Sequence, residues 1–336
     1  MTSYGYASPY RSTPVVLSAL IAGNLIVLLL HLMLGDYPIP VREALLAAVG
    51  GGDSKYGFVV QTLRLPRALV AFLAGAGLAL SGVLLQGITR NPLAAPGVVG
   101  LNAGASLTAV AAIIVFPSIP VALMPVAAFV GALSAGALSY VLAWRRGLSP
   151  VRLLLVGVGL SASAGAIVTF LLTIGKINDA KMAVIWMTGS VYGRSWEHFW
   201  PLLPWLLVLL PVSLLLAKRL DVLQLGDDAA RGLGSRLELS RGLLLLISIG
   251  LAGSAVAMAG TIGFVGLMAP HMSRYAVGAA SRRVIPAAAL LGGLIVMLAD
   301  LFGRIMLKPI EIPCGILVAI VGAPYMLYLL YKKRRM

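Results

Sequence analysis

Apolar runs approaching twenty residues, separated by short polar or proline- and glycine-containing breaks, recur along the whole chain. They fall near 13–34, 65–88, 97–116, 120–143, 151–174, 199–217, 241–259, 264–278, 285–307 and 313–331. A membrane-crossing helix needs about 20 apolar residues. The pattern therefore predicts an all-α chain with ten spans in a single transmembrane unit over 1–336, with no linker and no second domain. Pro117 and Pro120 split the third span from the fourth. The run 264–278 is short for a full crossing. The apolar patch 182–192, between charged flanks, is shorter still and predicts a surface or re-entrant helix.

One polar island interrupts the pattern. Residues 218–241 read KRLDVLQLGDDAARGLGSRLELSR, and nine of them are charged. Asp227 and Asp228 sit where acids favour a helix start, against the positive end of the dipole. Ala229, Ala230 and Leu233 form a short apolar stripe, with Arg231 between them. Gly234 stands where helices commonly stop. Ser235 and Glu238 have capping-box spacing, which would open a second helix. The expectation is helix, glycine stop, helix, outside the bilayer; a plain solvated loop fits the same residues.

Composition fixes the class. Hydrophobic residues make up 60% and charged residues 11%, against about 25% charged in a soluble domain, so the chain is a polytopic membrane protein. The 38 glycines suit close helix approach in lipid. A net charge of +15 would suggest nucleic acid in a soluble protein; here its distribution points to membrane sidedness. With ten spans, 17 of the 26 Lys and Arg residues fall on the side of the island and the termini. That side carries net +13 and the other +2, which predicts a multi-pass protein with the island and both termini on the cytoplasmic side. No signal-peptide cleavage pattern precedes the first run, so the first span is expected to be retained. The single Cys314 excludes an intramolecular disulfide.

Catalytic and phosphate-binding signatures are missing. There is no phosphate-binding GxxxxGK[ST] loop and no nucleophile elbow. His31, His198 and His271 are far apart and lack metal-ligand spacing. Ion-coupled carriers place ionisable residues in mid-span, and these spans hold almost none; Asp300, Arg304 and Glu311 lie near an outer end. The energy source must lie elsewhere. A secondary carrier and a membrane-embedded enzyme are the readings from other classes, and both lack their constellation.

Four stretches carry the remaining signals. Arg64-Leu65-Pro66-Arg67 opens the second span with two arginines at the dipole's positive end, a choice that suits a carboxylate-bearing partner or interfacial snorkelling. Residues 86–104, QGITRNPLAAPGVVGLNAG, contain Gln86 and the turn signals Asn91-Pro92 and Pro96-Gly97. Residues 260–274, GTIGFVGLMAPHMSR, combine Gly260 and Gly263 with Pro270 and predict a sharp turn and an irregular short helix, as a substrate path or a packing kink would have. Glu311-Ile312-Pro313-Cys314-Gly315 opens the last span, which Pro324 kinks.

Together these stretches, with Gly82, Trp186, Gly189-Ser190, residues 226–234 and Ala299-Asp300, resemble the FecCD-type permeases of type II ABC importers for iron–siderophore, haem and cobalamin. The match runs in order from about residue 60 to the end. The resemblance implies ten spans, a dimer with the same or a homologous permease, a cytoplasmic ABC ATPase dimer that binds the ATP, an extracytoplasmic substrate-binding protein and a lipid surround. It implies no cofactor on this subunit, no enzymatic activity, no metal site and no nucleic-acid partner. It gives residues 218–241 the role of coupling loop, carried by Asp227, Asp228, Ala229, Ala230, Arg231, Leu233 and Gly234. It assigns Arg64, Arg67 and Arg304 to binding-protein docking. It places Gln86, Asn91, Pro92, Pro96, Gly260, Gly263 and Pro270 along the translocation path or its helix turns. The implied cargo is an Fe3+–siderophore complex, with haem or cobalamin as alternatives.

Overall fold

The computed structural model describes residues 13–51, 54–116, 118–145, 147–307 and 309–334. Residues 1–12 and 335–336, whose side the charge count assigns, lie outside them. The chain is nearly all helix: α1 Thr13–Met33, α2 Val41–Ala48, α3 Ser54–Phe58, α4 Leu65–Thr89, α5 Leu101–Val115, α6 Met124–Ala143, α7 Pro150–Ile174, α8 Ile177–Met187, α9 Trp196–Leu215, α10 Ala217–Gln224, α11 Asp227–Gly232, α12 Leu237–Ala259, α13 Val265–Val277, α14 Ser281–Ile305 and α15 Cys314–Arg334. A π-helical stretch, Val59–Arg64, joins α3 to α4 into one continuous rod.

Each of the ten expected spans holds a helix. Eight are long and apolar enough to cross a membrane. The other two, α5 and α13, have 15 and 13 residues, or about 22 and 20 Å at 1.5 Å per residue, short of a hydrocarbon core of about 30 Å. Non-helical chain at 91–100 and 260–264 makes up part of the difference, and Ala94, Pro96, Val99, Gly100, Gly260 and Ile262 in it are buried in protein. Residues 97–100, expected inside the third span, are turn. Several helices begin one turn earlier than the apolar window suggests, because their first turns are polar: α12 starts at Leu237 and α14 at Ser281. The short helix expected at 182–192 is α8, five residues nearer the N-terminus, and it rests on α5.

α4 is the central rod, buried on nearly every face and packed on α14, α12, α13 and α9. Its glycines make this possible. A Cβ on Gly75 would lie 2.2 Å from the Gly292 carbonyl oxygen of α14, and one on Gly82 2.0 Å from that of Gly266 in α13. In lipid no hydrophobic force pulls helices together, so backbone-to-backbone approach supplies the attraction. Gly104 and Gly131 bring α5 and α6 together in the same way. α7 and α15 lie at the edge and expose apolar faces, including Leu155 and Phe170 on the first and Leu327 and Tyr328 on the second.

The island folds as helix, glycine stop, helix from Asp227 on, and its first residues form an additional short helix, α10. The expected capping box at Ser235 and Glu238 does not form. The residue before α12 is Arg236 and no side chain caps it. Glu238 instead accepts the Leu148 N–H at 2.8 Å from the α6–α7 turn.

Candidate functional site

The site begins with the knob made by α10 and α11 at one end of the bundle. Gly226 precedes α11 at φ +107°, a backbone region that side chains disfavour. Asp227 and Asp228 fill the first turn. The helix closes with the Gly234 N–H donating to Arg231 C=O at 2.9 Å and the Ser235 N–H to Ala230 C=O at 3.0 Å, a Schellman stop with Gly234 at φ +73°. Asp228, Ala229, Arg231, Leu233 and Gly234 are exposed, whereas Ala230 is fully buried against the bundle. Beside Leu233 lies a hollow of about 380 Å³ with Lys218, Arg219 and Arg236 on its walls.

Asp227 turns inward. Its Oδ1 accepts from Arg241 Nη2 at 2.5 Å and pairs with Arg90 Nη2 at 3.1 Å. Arg241 is 2% exposed, and its Nη1 donates to the Leu148 carbonyl at 3.0 Å. Arg90 ends α4 in the left-handed region at φ 53°. Sequence reasoning missed Arg90, Arg241 and Leu148. The one available signal was the position of Arg241, three residues after Glu238 and at the edge of an otherwise apolar run.

Arg64, Arg67 and Arg304 gather at the opposite end, and all three are buried, at 5%, 8% and 5% exposure. Arg64 donates to the Leu32 carbonyl at 2.6 Å and to the Tyr37 carbonyl; Arg304 donates to the His31 carbonyl at 2.8 Å and to the Leu34 carbonyl. Carbonyls at the C-terminus of α1 have no partners within their own helix and form the negative dipole end, so two guanidinium groups cap it. Arg67 grips Asp300 with two hydrogen bonds, at 2.9 and 2.8 Å, and Glu311 at 2.7 Å. Asp300 is 2% exposed, while the Glu311 side chain is 21% exposed. His31 donates from Nε2 to the Met297 carbonyl at 2.8 Å, locking α1 to α14.

The expected path and turn residues divide into three groups. Gln86 and Pro96 converge on α13: Gln86 Nε2 donates to Gly266 C=O at 3.2 Å, its Oε1 accepts from Arg274, and Pro96 packs on Gly266. Pro270 is buried inside α13. Asn91 makes a surface turn by accepting the Leu93 N–H at 2.9 Å, and Pro92 is exposed. Gly260, at φ +70°, lies against the Trp186 carbonyl and Gly189, where the Gly315 N–H also reaches the Gly189 carbonyl at 3.0 Å. Gly263 has open space around its Cα. Among the described residues no group of three His, Cys, Asp or Glu could hold a metal ion.

Residues 23–332 match the model of the FecCD transport family. The chain belongs to this family. Among its FecCD relatives, the Fe(3+)-citrate import system permease protein YfmE of Bacillus subtilis (strain 168) is 44% identical over 288 residues, 86% of each chain. The probable siderophore transport system permease protein YfhA of the same organism is 39% identical over 98% of each chain. The Fe(3+) dicitrate transport system permease protein FecD of Escherichia coli (strain K12) is 41% identical over 91% of this chain and 95% of that one. A metal-chelate type ABC transporter solved in an inward-facing conformation superposes with a TM-score of 0.86 at 32% identity, over 95% of this chain and 99% of the other. As a FecCD member with many apolar helices, the chain is a multi-pass transport subunit.

Proposed function

We propose that this chain is the permease subunit of an ATP-driven importer that carries an Fe3+ chelate, a siderophore or citrate complex, across a bacterial cytoplasmic membrane. The observation that carries the reading is the similarity, along nearly the whole chain, to permeases named for ferric citrate and siderophores. ATP binds and is hydrolysed on a separate ATPase pair. The exposed face of α11, Asp228, Ala229, Arg231 and Leu233, is the surface offered to that ATPase. The excess of 17 from 26 basic residues on the knob side supports a cytoplasmic knob and termini. The bare apolar faces of α7 and α15 suit a second permease subunit or lipid.

An extracytoplasmic binding protein docks at the opposite end. The resemblance nominates Arg64, Arg67 and Arg304 as its contacts. Their burial and in-chain partners mean that direct pairing with a carboxylate requires the α1 cap or the Glu311 contact to open.

The test is reconstitution with the ATPase and binding protein, followed by uptake of 55Fe-labelled citrate and siderophores alongside haem and cobalamin. ATP-dependent entry of a ferric chelate is expected. Entry of haem or cobalamin alone would replace the cargo. Uptake driven by an ion gradient without ATP would reject the importer reading.

A further inference from the structure

Asp227 occupies the first position of α11, and its carboxylate, a third exposed, is turned towards α12 and the end of α4. Arg241 meets it at 2.5 Å from α12. The guanidinium is a planar fork whose nitrogens are fixed relative to one another. With one end on Asp227, Arg241 delivers the other to the Leu148 carbonyl at 3.0 Å. Leu148 lies in the α6–α7 turn, where it bridges to Trp144. Its N–H is held as well, by Glu238 at 2.8 Å. Both polar groups of one turn residue are thus tied to the first turns of α12, and through Arg241 to α11. Arg90 adds a looser tie from Asp227 to the end of α4, with a side chain 37% exposed against 3% for Arg241.

α7, which follows that turn, is held closely at one point, Gly157, where a Cβ would lie 2.2 Å from the Val98 carbonyl oxygen. Besides it only Leu153, Ala164, Val168 and Leu171 are buried, and a Cβ at Gly159 or Gly165 would meet nothing within 4 Å. A helix held at its start and at one close contact pivots about that contact when its start moves.

We infer that Asp227, Arg241 and Glu238 form a transmission joint that passes displacement of α11 to the Leu148 turn and so to α7. They are positioning residues, and the proposal rests on the reading of α11 as the ATPase-facing knob. The joint adds direction to the apolar contact of Ala230. A charge-assisted fork fixes angle as well as distance, which packed methyl groups do not.

The experiment uses the full transporter in proteoliposomes, with Ile174→Cys at the exposed far end of α7 in a Cys314→Ser background. The readouts are the rate of maleimide labelling at residue 174 with and without a non-hydrolysable ATP analogue, ATPase co-purification, and uptake per ATP hydrolysed. Nucleotide should change the labelling rate when the joint is intact. Arg241→Gln should keep the ATPase bound, abolish the nucleotide-dependent change, and lower uptake per ATP about tenfold, within the usual span of coupling between sites. If Arg241→Gln does not assemble, Arg241→Lys keeps a positive charge beside Asp227 but loses the fork that also reaches the Leu148 carbonyl, and should give the same losses. A nucleotide response that survives these variants, or no response with the joint intact, overturns the proposal. Failure of the knob reading itself shows separately, as normal assembly and uptake in Ala229→Trp on the exposed face of α11.

Discussion

Gly82 and Gly266 meet backbone to backbone, so closely that a Cβ on the first would stand 2.0 Å from the carbonyl oxygen of the second. Gly82→Ala must push α4 from α13, with Gln86 and Arg274 one turn further along the same seam. Overpacking of this kind costs about 1–3 kcal/mol. The apparent melting temperature of the detergent-solubilised protein should fall. Gly159→Ala, where nothing lies within 4 Å, should change stability by no more than about 0.5 kcal/mol. Equal losses in the two variants would contradict the close contact.

Arg67 holds one buried and one half-exposed carboxylate, and the two should respond differently. Arg67→Ala leaves Asp300 inside the bundle with only His31 Nδ1, 3.9 Å away, beside it, a defect that costs about 3–5 kcal/mol. Glu311→Gln removes a partly exposed pair worth about 0.2–1 kcal/mol. Thermal unfolding should rank Arg67→Ala well below Glu311→Gln. The opposite order would mean that His31 alone balances the charge of Asp300.

The knob offers a paired test of surface against support. Ala229 is exposed, so Ala229→Trp should block the ATPase while leaving the fold intact. Ala230 is fully buried, so Ala230→Trp should instead lever α11 off the bundle and lower stability as well. Gly234 has open space but φ +73°, so Gly234→Val costs conformational energy alone, about 1–2 kcal/mol. Co-purification with the ATPase, alongside melting temperature, separates the three. A stable, fully assembled Ala230→Trp protein would contradict the inward placement of that side chain.

Sidedness is checked by one cysteine. Leu233, 64% exposed on the knob, takes a probe as Leu233→Cys in a Cys314→Ser background. A membrane-impermeant maleimide should miss it in intact cells and label it in inverted vesicles. Efficient labelling in intact cells reverses the orientation.

The spans and the knob were legible because each depends on local pattern: apolar runs, an acidic first turn, a glycine stop. The contacts of Arg67 and Arg304 were not, because each joins residues far apart in the sequence. Arg67 finds Asp300 across 233 positions, and Arg64 reaches a carbonyl rather than an acid. Arginines near a membrane edge read as an exposed patch when their partners are unknown. The capping box failed for a related reason: the spacing of Ser235 and Glu238 is right, but the distant Leu148 N–H takes the carboxylate. α10 escaped notice because its polar composition has no core-facing stripe long enough to count.

The cap on α1 sets an order of events during synthesis. His31 leaves the ribosome 273 residues before Arg304, which is roughly 14–55 s at bacterial and eukaryotic elongation rates combined. Through that interval Arg64 can already hold the Leu32 carbonyl of the first helix, but its His31 carbonyl waits for Arg304. Its neighbour α14, which also supplies the Met297 carbonyl to His31, arrives at the same late stage. The first helix made is therefore among the last to be locked, and a chain truncated before α14 should leave it open to quality-control proteases in the membrane.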